Sequence, residues 1–279
     1  MLPGIYDFAW DEGHIIFLGI FYTVVVVVLS TVVIALFRAL RRSGTANSEA
    51  AAWHADFEDL PARDRRCRHE LSGEVASRTC ENCFDCRHCA DHPRFVAAAA
   101  TAAPVADASL GATVAGFAMP ADRLYHRGHT WVREESDGTL TIGLDDLGSH
   151  LMGRPDAIVL PQPGTKLTAN GTAWVATKNG VTVRVMAPIE GDVIATGAKD
   201  DDWILKLRPE GDRADTRHLL DAAEARPWML REVERLHLAL ASEGVGAALA
   251  DGGTPVDDLA AVIPADKFDD VCGMLFLEP

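Results

Sequence analysis

Residues 172–188 read TAWVATKNGVTVRVMAP and carry the clearest structural signal in the chain. Two runs rich in β-branched residues flank Asn179-Gly180. This is the strongest short-range signal for a β-hairpin, because a type I′ turn needs positive φ at both central positions. We therefore predict two antiparallel strands with Asn179 and Gly180 at the tip.

Further short β-runs surround this hairpin from about residue 121 onward. They are separated by turn signals such as Ser136-Asp137-Gly138 and Pro163-Gly164, and they lie at 130–133, 139–144, 157–161, 187–194 and 203–207. Many short strands with regular turns predict a small closed β-structure.

Helical periodicity returns after Asp215. Apolar residues then recur at helical spacing, and Pro227 is predicted to divide the segment into two helices. The residues with this spacing are Leu219, Leu220, Ala223, Trp228, Met229, Val233, Leu236 and Leu240. The end of the chain, 268–279, is apolar, and we predict a tail that docks elsewhere, with Cys272 as a buried small side chain.

An uncharged apolar run occupies residues 15–37, and it is long enough to cross a bilayer as a helix. A cleaved signal peptide has a basic flank and a shorter apolar run, whereas here Asp7, Asp11 and Glu12 precede the run. We predict a retained single-pass anchor in contact with the lipid bilayer.

The charges beside this run predict its orientation. Arg38, Arg41 and Arg42 follow it, and no Lys or Arg precedes it. The positive-inside rule then places the N-terminus outside the inner, cytoplasmic membrane and the C-terminal bulk in the cytoplasm. The net charge of −15 argues against a nucleic-acid partner, since phosphate binding requires a basic face.

A cysteine-rich segment follows the anchor. Cysteines at two-residue gaps on the reducing side of a membrane indicate a metal site rather than disulfides. The candidate ligands are Cys67, Cys80, Cys83, Cys86, Cys89 and His92, with His69 as a possible substitute. The alternative interpretation is a reactive cysteine-rich loop without a metal.

The identity of the metal depends on the spacing. Zinc is favoured, with Cys67 and Cys80 pairing with Cys86 and Cys89 and with Cys83 spare. The alternative is an iron–sulfur cluster, although the usual run continues with a three-residue gap and Cys-Pro, whereas Ala90 follows Cys89 here. The scattered His126, His129 and His150 are interpreted as packing or hydrogen-bonding residues.

These signals divide the chain into six parts. The predicted fold class is mainly β with α. The parts are a short outer N-terminus (1–14), a transmembrane helix (15–37), a juxtamembrane helix with the cysteine-rich segment (43–95), an Ala-rich linker (96–120), a β domain (121–212) and C-terminal helices with an apolar tail (213–279).

The β domain resembles a known family. Tyr125, His126, His129, Trp131 and Val132 are similar to the opening Tyr…His-Glu-Trp-Val motif of the glycine cleavage H-protein, with Thr130 in place of Glu. Four further matches follow in the same order, at 141–144, 160–164, 187–193 and 202–207. The resemblance implies a lipoyl-type flattened β-barrel, or barrel-sandwich hybrid, with C-terminal helices.

The resemblance also shows where the chain departs from this family. In the family a lipoylated lysine lies eight residues before the proline of an Ala-Pro pair, and this position is Gly180 here, with Thr177 at the position of a family Glu. Lys178 is the nearest candidate for lipoylation, but it lies on the strand side of the turn, so lipoate is the least favoured cofactor.

The sequence therefore predicts a protein that is not an enzyme. No phosphate-binding loop, dinucleotide fingerprint or nucleophile elbow is present in it. The favoured function is a non-catalytic accessory or scaffold subunit that binds other subunits of a membrane-bound complex, of respiratory or electron-transfer type. The alternatives are an iron–sulfur electron carrier and a membrane-tethered lipoyl carrier that uses Lys178.

Overall fold

The computed structural model describes residues 12–45, 57–101, 113–198, 201–211, 213–241, 250–251 and 254–277. The chain forms two units, Met1–Glu49 and Ala50–Pro279. Residues 46–56, where the juxtamembrane helix is predicted to connect the anchor to the cysteine-rich segment, lie outside the described residues.

The first unit contains one long helix, α1 (Glu12–Thr45). Its segment Ile15–Val33 is long and apolar enough to cross a membrane, and none of that segment is buried within the protein. A signal sequence near the N-terminus can meet the same criteria of length and composition, so the segment is a candidate membrane span.

The second unit begins with the cysteine-rich segment. Its regular elements are two short 3₁₀ turns at Phe57–Asp59 and Cys86–His88 and two helices, α2 (Arg68–Leu71) and α3 (His92–Thr101). A small hairpin follows, formed by β1 (Thr113–Val114) and β2 (Phe117–Ala118). Its side chains enter the core, so the end of the predicted 96–120 linker belongs to the folded domain.

A six-stranded antiparallel sheet forms one side of the β domain. Its strand order is β3-β4-β5-β11-β10-β7. The strands are β3 (Leu124–His126), β4 (Thr130–Glu134), β5 (Leu140–Leu144), β7 (Lys166–Leu167), β10 (Gly191–Thr196) and β11 (Leu205–Arg208).

A three-stranded sheet with the order β6-β8-β9 contributes to the same core. Its strands are β6 (Ala157–Val159), β8 (Thr172–Lys178) and β9 (Val181–Met186). Lys178 pairs with Val181, and Asn179 and Gly180 have φ of 53° and 81°. The predicted type I′ hairpin is confirmed.

Helices and a last short hairpin complete the unit. They are α4 (Asp146–Met152), α5 (Ala222–Ala241), β12 (Ala250–Asp251), β13 (Thr254–Pro255), a 3₁₀ turn at Leu259–Ala261 and α6 (Ala265–Phe276). Together these elements give the predicted mainly β fold of lipoyl type with C-terminal helices.

Helix α5 corrects one prediction, because Pro227 lies inside a continuous helix rather than between two helices. The helix begins with a capping box, in which Asp221 and Glu224 each accept a hydrogen bond from the other's backbone N–H. Burial of Trp228 and Met229 then stabilises the turn that the proline weakens.

The apolar C-terminal tail also differs from the expectation. It forms α6 and docks within its own unit, where it packs against β9. Cys272 is buried in this helix, as predicted.

A buried ion pair connects the six-stranded sheet to the helices. His129 precedes β4, and its Nδ1 lies 2.8 Å from Oδ2 of Asp145, which follows β5. Oδ1 of Asp145 caps α4 by accepting from the N–H of Gly148, and the His129 ring stacks on Trp228 of α5 at 5.0 Å. Burial of the ring disfavours its charged form, but the Asp145 carboxylate outweighs this effect, so the pKa of His129 is raised.

This raised pKa predicts a pH-dependent stability. A histidine whose folded pKa is raised contributes stability that is fully present below its unfolded pKa and is lost as the pH rises through the folded pKa. We expect His129→Asn to reduce the free energy of unfolding more at about pH 5.5 than at about pH 9. Urea unfolding at both values measures the difference.

The exposed His237 on α5 supplies the control. His237→Asn should cost little at either pH, because surface substitutions usually stay within about 0.5 kcal/mol. A His129→Asn cost that is equal at the two pH values would contradict the charged pair.

Candidate functional site

The tip of the β8–β9 hairpin is the first candidate site. An added Cβ at Gly180 would meet no atom within 4 Å, so the position that carries a lysine in the resembled family is open and has no side chain here. The tip therefore offers no nucleophilic or acylable group at its apex.

Lys178 lies beside the apex, and its side chain is only 10% exposed. Its Nζ lies 2.9 Å from the carbonyl oxygen of Arg154 and 2.9 Å from Oδ2 of Asp258. Lipoylation of Lys178 would require Nζ to leave both acceptors. The structure thus places this predicted residue in an internal ion pair.

The rest of the tip is also bound to its own chain. The Asn179 side chain donates to the carbonyl oxygen of Ala260 at 3.0 Å, and its backbone N–H donates to Asp156 at 2.8 Å. Gly153 makes room for Asp258, since a Cβ at Gly153 would lie 2.4 Å from Cγ of that residue. The C-terminal segment 258–260 therefore holds the tip in place.

The cysteine-rich segment is the second candidate site. An isolated antiparallel bridge pairs Arg66 with Thr79, and the N–H of Cys67 donates to the carbonyl oxygen of Arg78 at 2.7 Å. Cys80 is two residues beyond Arg78, so Cys67 and Cys80 are diagonal neighbours on one face of this pairing. The bridge thus brings together two cysteines that are separated by 12 residues.

The next cysteine, Cys83, lies in a strained turn, and Cys86 follows that turn. Cys83 and Phe84 have φ of 49° and 59°, a region that is uncommon for residues other than glycine. The Asn170 side chain donates to the carbonyl oxygen of Cys83 at 3.2 Å, which fixes the turn. Cys86 then begins a 3₁₀ turn that Asp85 caps.

The last two candidate ligands are Cys89 and His92, and His92 forms a pair with His69. Cys89 accepts from the N–H of His92 through its carbonyl oxygen, and His92 Nδ1 lies 2.9 Å from His69 Nε2. The Glu74 carboxylate is hydrogen-bonded to Nδ1 of His69. Both ring nitrogens of His69 are therefore engaged, one with Glu74 and the other with His92.

The six cysteines, all within the described residues, form no disulfide with one another. Burial raises the pKa of Cys67, and it raises the pKa of Cys86 to about 12. Among the described residues, no group of three or more potential ligands is arranged to hold a metal ion, so the predicted metal site stays a prediction.

A buried arginine of the β domain faces this segment. Arg127, in the β3–β4 turn, lies with its guanidinium carbon 3.7 Å from the centroid of the Phe84 ring. Its Nη1 donates to the carbonyl oxygen of Arg66. Burial lowers the pKa of Arg127, and the nearby Cys80, Cys86 and Cys67 oppose this effect.

Several residues of these two sites carry no local sequence signal. Asp258 binds Lys178 and Arg127 binds Arg66, and each of these pairs is far apart in the chain. Glu74 reaches His69 across the loop that follows α2. His126, His129 and His150 make hydrogen bonds to Asn170, Asp145 and the carbonyl oxygen of Asp146, as predicted for structural histidines.

The strand order and the hairpin define the class of the protein, a lipoyl-type β domain whose hairpin tip lacks the acylable lysine. The family model of the glycine cleavage H-protein matches residues 123–231. The chain belongs to the glycine cleavage H-protein family through this region.

Two individual relatives agree with this assignment. The glycine cleavage system H protein of Enterobacter sp. (strain 638) is 31% identical over 117 residues, which cover 37% of this chain and 90% of that protein. The glycine cleavage system H protein of Shewanella frigidimarina is 32% identical with the same coverage. A crystal structure of a glycine cleavage system H protein from Mycobacterium marinum has 18% identity and a TM-score of 0.34, and covers 39% of this chain and 98% of that one.

The contact between Lys178 and Asp258 generates a testable prediction. We expect Asp258→Asn to lower the free energy of unfolding by about 1–3 kcal/mol, because a mostly buried ammonium loses its charged acceptor. Hydrogen exchange of the 254–277 segment should rise in the same variant.

The neighbouring exposed Asp257 gives a matched control, since Asp257→Asn makes the same chemical change one residue away. If both variants had the same stability and the same exchange, the ion pair would not hold the tip.

Proposed function

We propose that this chain is a non-catalytic accessory subunit of a membrane-bound complex, of respiratory or other electron-transfer type. One observation carries the proposal. The hairpin tip that presents the lipoyl lysine in related H proteins has Asn179-Gly180 here and is bound to residues 258–260. A carrier fold without its arm retains a folded surface for contact with other proteins.

Membership of the H-protein family supports protein partners in general. The apolar segment Ile15–Val33 supports attachment to a membrane. We propose that its Arg38, Arg41 and Arg42 flank faces the cytoplasm, which would place the domain on the inner face of that membrane.

The cysteine-rich segment is the proposed metal site of this subunit. Zinc is the proposed metal, because tetrahedral zinc accepts thiolate and imidazole ligands drawn from separated positions. Both ligand types occur here within one folded segment, in which Cys67 lies beside Cys80 and His69 lies beside His92.

Co-purification tests the accessory role. The full chain, tagged at one terminus, is extracted from native membranes with a mild detergent, and the bound proteins are identified by mass spectrometry. We expect several redox subunits at a fixed ratio to the chain. An unrelated single-pass protein with the same tag is the control, and recovery of the chain without such subunits would contradict the proposal.

The same purified sample distinguishes the cofactors. We expect stoichiometric zinc, no visible absorption and an intact mass without a lipoyl group. Iron with visible absorption would instead favour an electron carrier. A lipoyl mass increment that disappears in Lys178→Arg would favour a group carrier.

A further inference from the structure

A small cavity lies where the cysteine-rich segment, the β3–β4 turn and α5 meet. Its volume is about 20 Å³, and the described residues that line it include five arginines and two carboxylates. The side chain of Arg63, one of these residues, is 73% exposed, so the cavity reaches the surface of the protein. The arginines are Arg63, Arg66, Arg127, Arg231 and Arg235, and the carboxylates are Asp64 and Glu232.

Both carboxylates of the lining are bound to arginines of the same lining. The guanidinium of Arg235 forms ion pairs with Asp64 and, at 2.8 Å, with Glu232. Nε of Arg63 lies 3.7 Å from Oδ2 of Asp64. Asp64 and Glu232 therefore compensate the charges of Arg63 and Arg235.

Two of the other three arginines have no carboxylate partner. Nε of Arg66 lies 3.5 Å from Oε1 of Glu70, which compensates this third charge. Arg127 is only 8% exposed, and neither Arg127 nor Arg231 forms an ion pair with any residue that the structure describes. Two positive charges of the cavity are thus uncompensated, and a charge that is removed from water without an opposite charge is costly.

Arg231 also has an unused hydrogen-bond donor. Its Nη2 donates to the carbonyl oxygens of Glu70 and Leu71, but its Nε is buried and has no partner among the described residues. Burial lowers the pKa of Arg231, and the charge of Arg66 adds to this effect. A bound water or ion is a common reason for a buried donor that has no protein partner.

The volume of the cavity limits the size of the ligand. One water molecule needs a cavity of about 10–15 Å³, so this cavity of about 20 Å³ admits one group of that size or slightly larger. A chloride ion is only slightly larger than a water molecule, whereas a phosphate ion or a carboxylic acid has several heavy atoms. Size and charge together therefore select a monatomic anion.

We propose that this cavity binds a chloride ion, which accepts hydrogen bonds from the guanidinium groups of Arg127 and Arg231. A guanidinium suits this role because it is weakly hydrated and has five N–H donors. Arg127 and Arg231 also bind backbone carbonyl oxygens of the cysteine-rich segment, at Arg66 and Leu71. The ion thus joins the β3–β4 turn to α5 and fixes the two arginines that hold the segment.

The test uses the full chain in detergent. Chloride is exchanged for gluconate at constant sodium concentration and constant ionic strength, so that general screening of charges does not change. The linewidth of the chlorine NMR signal measures binding directly, because chloride in exchange with a protein site gives a broader line. We expect saturable broadening that bromide displaces, and a thermal unfolding midpoint about 3–6 °C higher at ten times the dissociation constant.

Arg127→Met and Arg231→Met each remove one charge and keep an aliphatic side chain. We expect each variant to raise the chloride dissociation constant about 10–100-fold, because a hydrogen bond to a charged group contributes this much. Arg231→Lys retains the charge and should bind chloride more tightly than Arg231→Met. If one of the two methionine variants does not fold, the other variant measures the same loss.

Arg123→Met is the matched control. Arg123 directly precedes β3, and it lies 4.0 Å over the Trp131 ring with an ion pair to Asp202, away from the cavity. Whatever its midpoint in gluconate, this variant should keep the chloride affinity of the unmodified chain.

Two results would overturn the chloride site. If the broadening does not saturate and the midpoint is the same in chloride and gluconate, the cavity holds water only. If both methionine variants bind chloride as tightly as the unmodified chain, the ion lies elsewhere. Chloride binding at this cavity requires neither a thiolate nor a metal, so either result leaves the co-purification and zinc tests of the proposed function unaffected.

Discussion

The contact between the β8–β9 hairpin and the C-terminal segment is the constraint on which the architecture of this protein depends. The turn at Asn179-Gly180 sets the register of the smaller sheet, and the same turn is bound by Ala260 and, through Lys178, by Asp258. Within this arrangement Nζ of Lys178 is bound to the carbonyl oxygen of Arg154 and to Asp258. The glycine at position 180, where related proteins carry a lysine, is therefore consistent with a tip that is bound to residues 258–260.

The local part of this arrangement could be predicted from the sequence, because the cause is local. An Asn-Gly pair between β-branched runs determines its own turn, and the paired strands follow from it. The contact with Asp258 could not be predicted, since 80 residues separate it from Lys178 and no periodicity marks it. Pro227 illustrates the opposite case, in which a local signal for a break is overridden by the burial of Trp228 and Met229 on the helix.

The packing of the cysteine-rich segment against the rest of the domain could not be predicted from the sequence either. The spacing of its cysteines identifies candidate ligands but suggests a separate module after the anchor. In the structure it is bound to the β domain and α5 by ion pairs, namely Arg68 with Glu224, Arg87 with Glu190 and Arg235 with Asp64. Each pair joins residues more than 100 positions apart, so only the folded chain reveals that the segment and the β domain form one body.

Both additions to the H-protein fold meet at one place. Phe57 and Phe84 from the cysteine-rich segment, Met186 from β9 and Leu277 after α6 form a single buried apolar cluster. Because β9 is one strand of the hairpin, the segment before the domain and the helix after it pack against the same structural unit. The family model matches residues 123–231, so of these four cluster residues only Met186 lies within the matched region. The segment before the domain and the helix after it thus pack together around the β8–β9 hairpin.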